Sequence, residues 1–185
     1  MTRRDIPNAI TIGRMVMALP LLWLLVEGEF RWALGLALVA GLSDGVDGFL
    51  AKRYGWQSEL GGLLDPLADK LLLCACFLGL WLSEQLPTWL VAVVLGRDLV
   101  ILAGARVWWS MHGRFRAEPS GISKATTLLQ LVLVALVMAQ PAGIHVLAGA
   151  IPPLVFATAL VTVASGLDYI VRYGRKAWRQ RGGRG

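Results

Sequence analysis

The sequence predicts an all-α integral membrane protein with six transmembrane helices. Three features of the 185-residue chain lead there. Its residues are 56% hydrophobic, above the usual apolar share of a soluble domain. The apolar residues come in blocks close to the roughly 20 residues that cross a bilayer. Lys and Arg collect in alternate connections between the blocks, as topology requires.

The helices are expected at Pro7 to Val26, Arg31 to Arg53, Gly61 to Ser83, Pro87 to Met111, Ser120 to Ala139 and Gly143 to Tyr173. Pro87 suits a helix start, where the first N–H groups lack partners anyway. Pro152 and Pro153 either kink the sixth helix or mark its true beginning. One membrane domain, 1–185, is expected, with a short amino-terminal segment, 1–6, and a basic tail, 174–185. Arg3, Arg4, Lys52, Arg53, Arg114, Arg116 and the tail lie on one side, while Glu27, Glu29, Arg31 and Glu84 lie on the other. The cationic side is the cytoplasmic one, so both termini should face the cytoplasm, in what would be a bacterial inner membrane. Trp56, Trp81, Trp89, Trp108 and Trp109 fall near helix ends, where amphipathic indoles favour the interface. Thr2-Arg3-Arg4 leads into the first block with no small-residue cleavage site, so a cleaved signal peptide is not expected.

The net charge is +6. Its placement beside the apolar blocks suits anionic membrane lipids and argues against a nucleic-acid partner. Cys74 and Cys76, two apart on a helix, point to different faces and are read as apolar filler.

Four aspartates break the apolar pattern: Asp44, Asp47, Asp65 and Asp69. One ionised Asp near a spanning-helix centre costs roughly 2.5–3.5 kcal/mol, so four cost about 10 kcal/mol unless something offsets them. Asp44, Asp47, Gly48 and Ala51 share one helix face, and Gly61, Asp65 and Asp69 share a face of the next. The short link between the two helices makes them antiparallel neighbours, whose carboxylates are expected to meet across the seam. Gly48, Ala51, Gly61 and Gly62 leave room for close backbones or a bulky phosphate-bearing ligand. Hard carboxylate oxygens suit Mg²⁺, Mn²⁺ or Ca²⁺, and two divalent cations would balance the four charges. Such a pair can grip a pyrophosphate, while one carboxylate accepts a proton from an attacking hydroxyl.

The pattern Asp44-x2-Asp47-Gly48-x2-Ala51-Lys52-x8-Gly61-x3-Asp65-x3-Asp69 resembles the signature of the CDP-alcohol phosphatidyltransferases. It departs at Lys52, where the family has Arg, whose bidentate fork Lys lacks. The resemblance implies the CDP-alcohol phosphotransferase fold and two Mg²⁺ or Mn²⁺ ions as cofactors. It implies that Asp44, Asp47, Asp65 and Asp69 are metal ligands, with Asp69 also the general base, and that Gly48, Ala51, Lys52 and Gly61 line the cytidine diphosphate site. It further implies attack of an alcohol on the β-phosphorus of CDP-diacylglycerol with loss of CMP, and a homodimer.

The opening Ile6-Pro7-Asn8-Ala9-Ile10-Thr11-Ile12-Gly13-Arg14 resembles the glycerol-type branch. There Asn8, Thr11 and Arg14, on one helix stripe, are expected to face the nucleotide; the alternative is a polar interfacial helix start with Arg14 snorkelling. The segment Ile122-Ser123-Lys124-Ala125-Thr126-Thr127-Leu128-Leu129-Gln130 is similar to the pattern of CMP-forming cardiolipin synthases, as are Gly96-Arg97-Asp98 and Tyr173-Gly174-Arg175-Lys176. Phosphatidylglycerophosphate synthases carry a second Lys where this chain has Thr126. A phosphodiester acceptor brings nearly one charge less than a phosphomonoester and needs one cation fewer. The acceptor is therefore expected to be phosphatidylglycerol, with glycerol 3-phosphate as the alternative. Lys124 and Arg97 are its candidate contacts; the competing reading pairs Arg97 and Asp98 each with a charge on another helix, Arg97 with the acidic site. A cation transporter would also keep intramembrane acids, but transport does not require Gly48, Ala51 and Gly61 at fixed offsets.

Overall fold

The computed structural model describes residues 5–54, 59–112, 121–145 and 147–181, with side chains described for 10–43, 64–104, 106, 121–145 and 147–172. Every long element is helical. The helices are α1 (Asp5–Val26), α2 (Phe30–Tyr54), α3 (Glu59–Leu82), α4 (Thr88–His112), α5 (Gly121–Ala139) and α6 (Ile151–Arg181), with one 3₁₀ turn at Ala148–Ala150. They form two compact units, one of 1–87 with 134–148 and one of 88–133 with 149–185; α5 contributes to both.

Five of the expected helices lie close to their predicted spans. The sixth is the correction. Residues 143–145 and 147 are not helical, and α6 proper begins at Ile151. Pro152 and Pro153 fall in its first turn, where neither missing N–H costs a helix hydrogen bond. At its other end α6 continues past Tyr173 to Arg181. A lone Gly174 costs only about 1 kcal/mol, and Arg, Lys, Ala and Gln around it favour helix.

The expectation of six spans is met in part. Among the described residues, the segments Gly121–Ala139 and Ala148–Arg172 are long and apolar enough to cross a membrane, while Ile10–Val26 and Phe30–Ser43 are shorter apolar helices. Acidic and basic residues inside α2, α3 and α4 interrupt their apolar runs. The outward faces are nonetheless strongly apolar. Leu19 is 71% exposed, Trp32 72%, Leu42 70% and Leu160 71%, a pattern that water disfavours over so many side chains.

In the first unit, α1 packs on both α2 and α3. Its buried stripe is Thr11, Arg14, Ala18, Leu21 and Leu25, spaced alternately three and four apart so that all face one seam. Phe77, Leu80 and Cys76 of α3 and Ala33 and Ala40 of α2 are buried as well. The α2–α3 seam expected around the acidic residues involves side chains outside the described set; among the described residues α1 is their shared neighbour. Pro20 and Pro66 lie inside α1 and α3, each removing one backbone donor.

Helix ends are closed by left-handed residues. Gly28 (φ 79°) follows α1, with Glu29 N donating to Leu24 O at 2.9 Å. Gly143 (φ 86°) follows α5, with Ile144 N donating to Ala139 O at 2.9 Å. Both are glycine-type C-caps.

In the second unit, α4 packs on α6. Leu90, Val94 and Arg97 of α4 face inward, as do Val155, Thr158, Thr162 and Ser165 of α6. The α6 stripe has the same three–four spacing but is largely hydroxylic. Its apolar residues, Phe156, Leu160, Val163 and Leu167, are the exposed ones. The Tyr169 hydroxyl donates to Ile101 O at 3.3 Å, and Trp89 stacks on Phe156 at 5.7 Å.

Gly79 marks a close approach of α1 and α3: a Cβ there would lie 2.7 Å from Leu25 Cβ. Gly79→Ala should therefore destabilise the chain by about 1–3 kcal/mol through overpacking. Gly13→Ala, where an added Cβ meets nothing within 4 Å, is the control. Thermal unfolding in detergent compares them, and equal midpoints would remove the argument for a close seam.

Candidate active site

The buried stripe of α1 changes character along its length. Leu21 and Leu25 fill one part, and Arg14 and Thr11 continue it toward the amino terminus. Arg14 is 2% exposed, and a guanidinium so buried requires acceptors. They come from α3. Arg14 Nη1 donates to Asp69 Oδ1 at 2.7 Å, and Arg14 Nη2 lies 3.6 Å from Asp65 Oδ1. Thr11 Oγ1 donates to the same Asp65 Oδ1 at 2.6 Å. Thr11 and Asp65 thus form a short, charge-assisted hydrogen bond beside the ion pair.

Of the stripe expected to face a nucleotide, Thr11 and Arg14 are described, and their described partners are carboxylates. The alternative of an interfacial Arg14 snorkelling to headgroups does not describe this buried side chain. The side chain of Asn8 lies outside the described residues. So do those of Asp44, Asp47, Gly48, Ala51, Lys52 and Gly61, although the backbone around each is helical in α2 or α3.

Asp65 and Asp69 sit four apart on α3, hence on one face. Their side chains are 50% and 54% exposed, in contrast to the buried guanidinium between them. Each acid is therefore half-exposed while it holds the guanidinium. Every described contact of Asp65 uses Oδ1, leaving Oδ2 for another partner. Oxygen donors of this kind fit a divalent cation of the Mg²⁺ or Mn²⁺ class. Among the described residues no group of three metal-binding side chains occurs; Asp44 and Asp47, the other half of the expected set, fall outside that group.

The second unit carries its own buried cation. Arg97 Nη1 donates to Asp98 Oδ1 at 2.6 Å. Its Nη2 donates to Ser123 Oγ at 2.7 Å and to Ser165 Oγ at 2.8 Å. Adjacent Arg97 and Asp98 therefore pair with each other, and serines of α5 and α6 accept from Nη2, while Nε has no partner among the described residues. Lys124, next to Ser123 in the first turn of α5, is exposed. Thr126 is fully buried. Its hydroxyl donates to Ile122 O at 2.8 Å and approaches Val161 O of α6 at 3.3 Å. Gln130 Nε2 donates to Thr162 Oγ1 at 3.3 Å. Asp168 pairs with Arg172, one turn on along α6, at 2.7 Å.

Sequence reasoning missed the hydroxyl stripe of α6. Thr158, Thr162 and Ser165 were legible as a three–four repeat of small polar residues in an apolar helix, which is a known way to pack helices in lipid.

Residues 4–167 match the family model for CDP-alcohol phosphatidyltransferase. The chain belongs to that family. It is 34% identical to a human CMP-forming cardiolipin synthase over 92% of this chain and 62% of the human one. It is 33% identical to a rice chloroplastic CDP-diacylglycerol–glycerol-3-phosphate 3-phosphatidyltransferase, over 91% of this chain and 57% of that one. A probable phosphatidylglycerophosphate synthase of Mycobacterium tuberculosis is 31% identical over 91% of this chain and 81% of its own length. The chain thus spans about six-tenths of the length of the human protein.

The Arg14–Asp69 pair should be measurable as a coupling. With a chelator present, Arg14→Leu is expected to lower stability by about 1–3 kcal/mol, less than a fully buried pair would lose because the carboxylates are half-exposed. Combined with Asp69→Asn, the loss should be smaller than the sum of the two, by about 0.5–3 kcal/mol. Additive unfolding midpoints across the four variants would deny the interaction.

Proposed function

We propose that the chain is a membrane-embedded, metal-dependent phosphatidyltransferase that moves a phosphatidyl group from CDP-diacylglycerol to phosphatidylglycerol, forming cardiolipin and CMP. The observation that carries this reading is the α1–α3 seam. It presents Asp65 and Asp69 as a half-open carboxylate pair, within a chain whose Asp44 to Asp69 spacing has the family signature.

In this reading Asp44, Asp47, Asp65 and Asp69 hold two divalent cations, Mg²⁺ or Mn²⁺, which when bound neutralise the pyrophosphate and favour departure of CMP. The acceptor hydroxyl oxygen attacks the β-phosphorus. The bond from that phosphorus to the bridging oxygen breaks, its electron pair leaves with CMP, and the hydroxyl proton passes to Asp69. A carboxylate accepts a proton only in its ionised form, and Arg14 is a counter-ion for that form. Thr11 fixes Asp65 by their shared hydrogen bond, so the two acids keep their spacing while a ligand is bound. Gly48, Ala51 and Gly61 leave space for the cytidine diphosphate, with Lys52 and Asn8 as polar contacts.

Six membrane spans in one domain, with the acidic site and both termini on the cytoplasmic side of a bacterial inner membrane, complete the proposal. The Lys and Arg distribution supports it, as do the apolar outward faces.

The acceptor assignment rests on α5. Lys124 is exposed there, beside the Ser123 that holds Arg97. Position 126, in contrast, carries a buried threonine bonded within the helix. That position offers no cation, which suits a phosphodiester more than a phosphomonoester. Glycerol 3-phosphate is the second reading, favoured by the rice and mycobacterial relatives.

Purified protein given CDP-diacylglycerol and Mg²⁺ or Mn²⁺ should convert phosphatidylglycerol to cardiolipin, with glycerol 3-phosphate, inositol and serine offered separately for comparison and lipid products read by mass. Chelator should abolish CMP release. Phosphatidylglycerophosphate without cardiolipin would transfer the assignment to the second reading. Asp69→Asn should lower kcat by about 10²–10⁴-fold, the usual worth of a general base, with folding checked by size-exclusion elution; full turnover would remove Asp69 from that role.

A further inference from the structure

At the other end of α2 from the acidic residues, a groove of about 440 Å³ opens beside Arg31. Leu34, Gly35 and Leu38 line it from α2, and Gly143 and Ile144 from the turn after α5. Arg31, Leu34, Gly35 and Leu38 recur at i, i+3, i+4 and i+7, one stripe along the helix. Leu42, 70% exposed, extends the same stripe. From Arg31 to Leu42 the rise is about 16 Å. Asp44 lies about 20 Å from Arg31 along the helix, so the groove is separate from the acidic site.

The stripe has the polarity of a phospholipid: a cation at its head and an apolar track running along the helix axis. Arg31 is held in place at its inner nitrogen, Nε, which donates to Ala142 O at 3.0 Å. The guanidinium lies over Gly143, where an added Cβ would come within 3.3 Å of an Nη atom. Neither Glu27 nor Glu29 pairs with Arg31 among the described residues. The two Nη groups are therefore oriented, exposed and without an acceptor in the described structure, the fork geometry that matches phosphate oxygens. Trp32, next in sequence, is 72% exposed, as expected of an indole at headgroup depth.

We propose that this groove binds one anionic phospholipid, its phosphate on the Arg31 guanidinium and an acyl chain along Leu34, Leu38 and Leu42. The site is distinct from the substrate site. It rests on the membrane reading above and is independent of the chemistry. An anionic lipid is favoured over a zwitterionic one because, among the described residues, no carboxylate pairs with Arg31 or lines the groove to receive a choline or ethanolamine cation.

Native mass spectrometry of the purified full chain in detergent tests this, with titration of phosphatidylserine or of phosphatidylcholine carrying the same acyl chains. One phosphatidylserine should be retained at least tenfold more tightly than phosphatidylcholine. Arg31→Gln, which keeps a donor for Ala142, should remove that preference. Gly35→Leu should do the same by filling the groove; an added Cβ there meets nothing within 4 Å, so the fold tolerates its first atom. Equal retention of the two lipids overturns the proposal. So does phosphatidylserine retention that survives Gly35→Leu while Arg31→Gln abolishes it, since the charge would then act without the groove. Mass readout is independent of turnover, so a failed lipid site and a failed transferase assignment are distinguishable.

Discussion

The burial of Arg14 constrains the first unit more than any other single feature. A guanidinium with 2% exposure on the packed stripe of α1 cannot remain there without anions, because an unpaired buried charge costs several kcal/mol. Asp65 and Asp69 meet that need from α3, and their four-residue spacing lets one guanidinium reach both. The consequence runs in both directions. The carboxylates, which would repel each other if alone, gain a fixed cation between them and remain half-exposed. Packing of α1 against α3 through Leu21, Leu25, Phe77 and Leu80 sets the depth at which this happens, and Gly79 permits the approach. Apolar contact and the charged cluster therefore belong to one seam.

The second unit handles its buried cation with different groups. Arg97 takes one carboxylate from its own neighbour, Asp98, and two hydroxyls from α5 and α6. The stripe that supplies Ser165 also places Thr158 and Thr162 inward, while the large apolar side chains of α6 point out. In water this arrangement would be inverted. In lipid it is economical: tails accept Leu and Phe without cost, and Thr162 and Ser165 find partners in Gln130 and Arg97, while the buried Thr158 Oγ1 has none among the described residues. The contrast with Asp65 and Asp69 is instructive. Arg97 and Asp98 are 7% and 18% exposed, whereas Asp65 and Asp69 are about half-exposed.

Much of this was legible in the sequence because membrane helices announce themselves by length and charge. The bounds of α1 to α5 follow from apolar blocks and the turn residues between them, and the acid spacing alone implied shared faces. The errors have physical causes. Residues 143–150 are apolar enough to extend a helix, yet the adjacent Pro152 and Pro153 fit best in a first turn, so α6 starts at Ile151, just before them. For Arg14, a one-dimensional stripe names a face and not its neighbour; among the described residues that neighbour is α3, which meets α1 at Leu25 and Gly79. Arg97 and Asp98, one apart, point about 100° from each other on an ideal helix, which made an ion pair between them an unlikely expectation. Long side chains closed the gap. Expectations that rest on Asp44, Asp47, Gly48, Ala51, Lys52, Gly61 and Asn8 fall on side chains outside the described residues.

Thr126 bears on the acceptor in a way that side-chain identity alone does not. A missing lysine could mean that an open cationic position had become neutral, leaving a gap a new ligand might fill. Instead the position is packed: its hydroxyl is bonded back to Ile122 O, close to Val161 O. No acceptor atom can reach it without moving α5 from α6. The cationic provision on this part of α5 then falls to the exposed Lys124, one residue from the serine that binds Arg97. In the proposed reaction a diester headgroup needs one such contact and a monoester benefits from two. The difference between the two acceptors becomes a question of whether position 126 stays buried, with its hydroxyl held at Ile122 O and Val161 O.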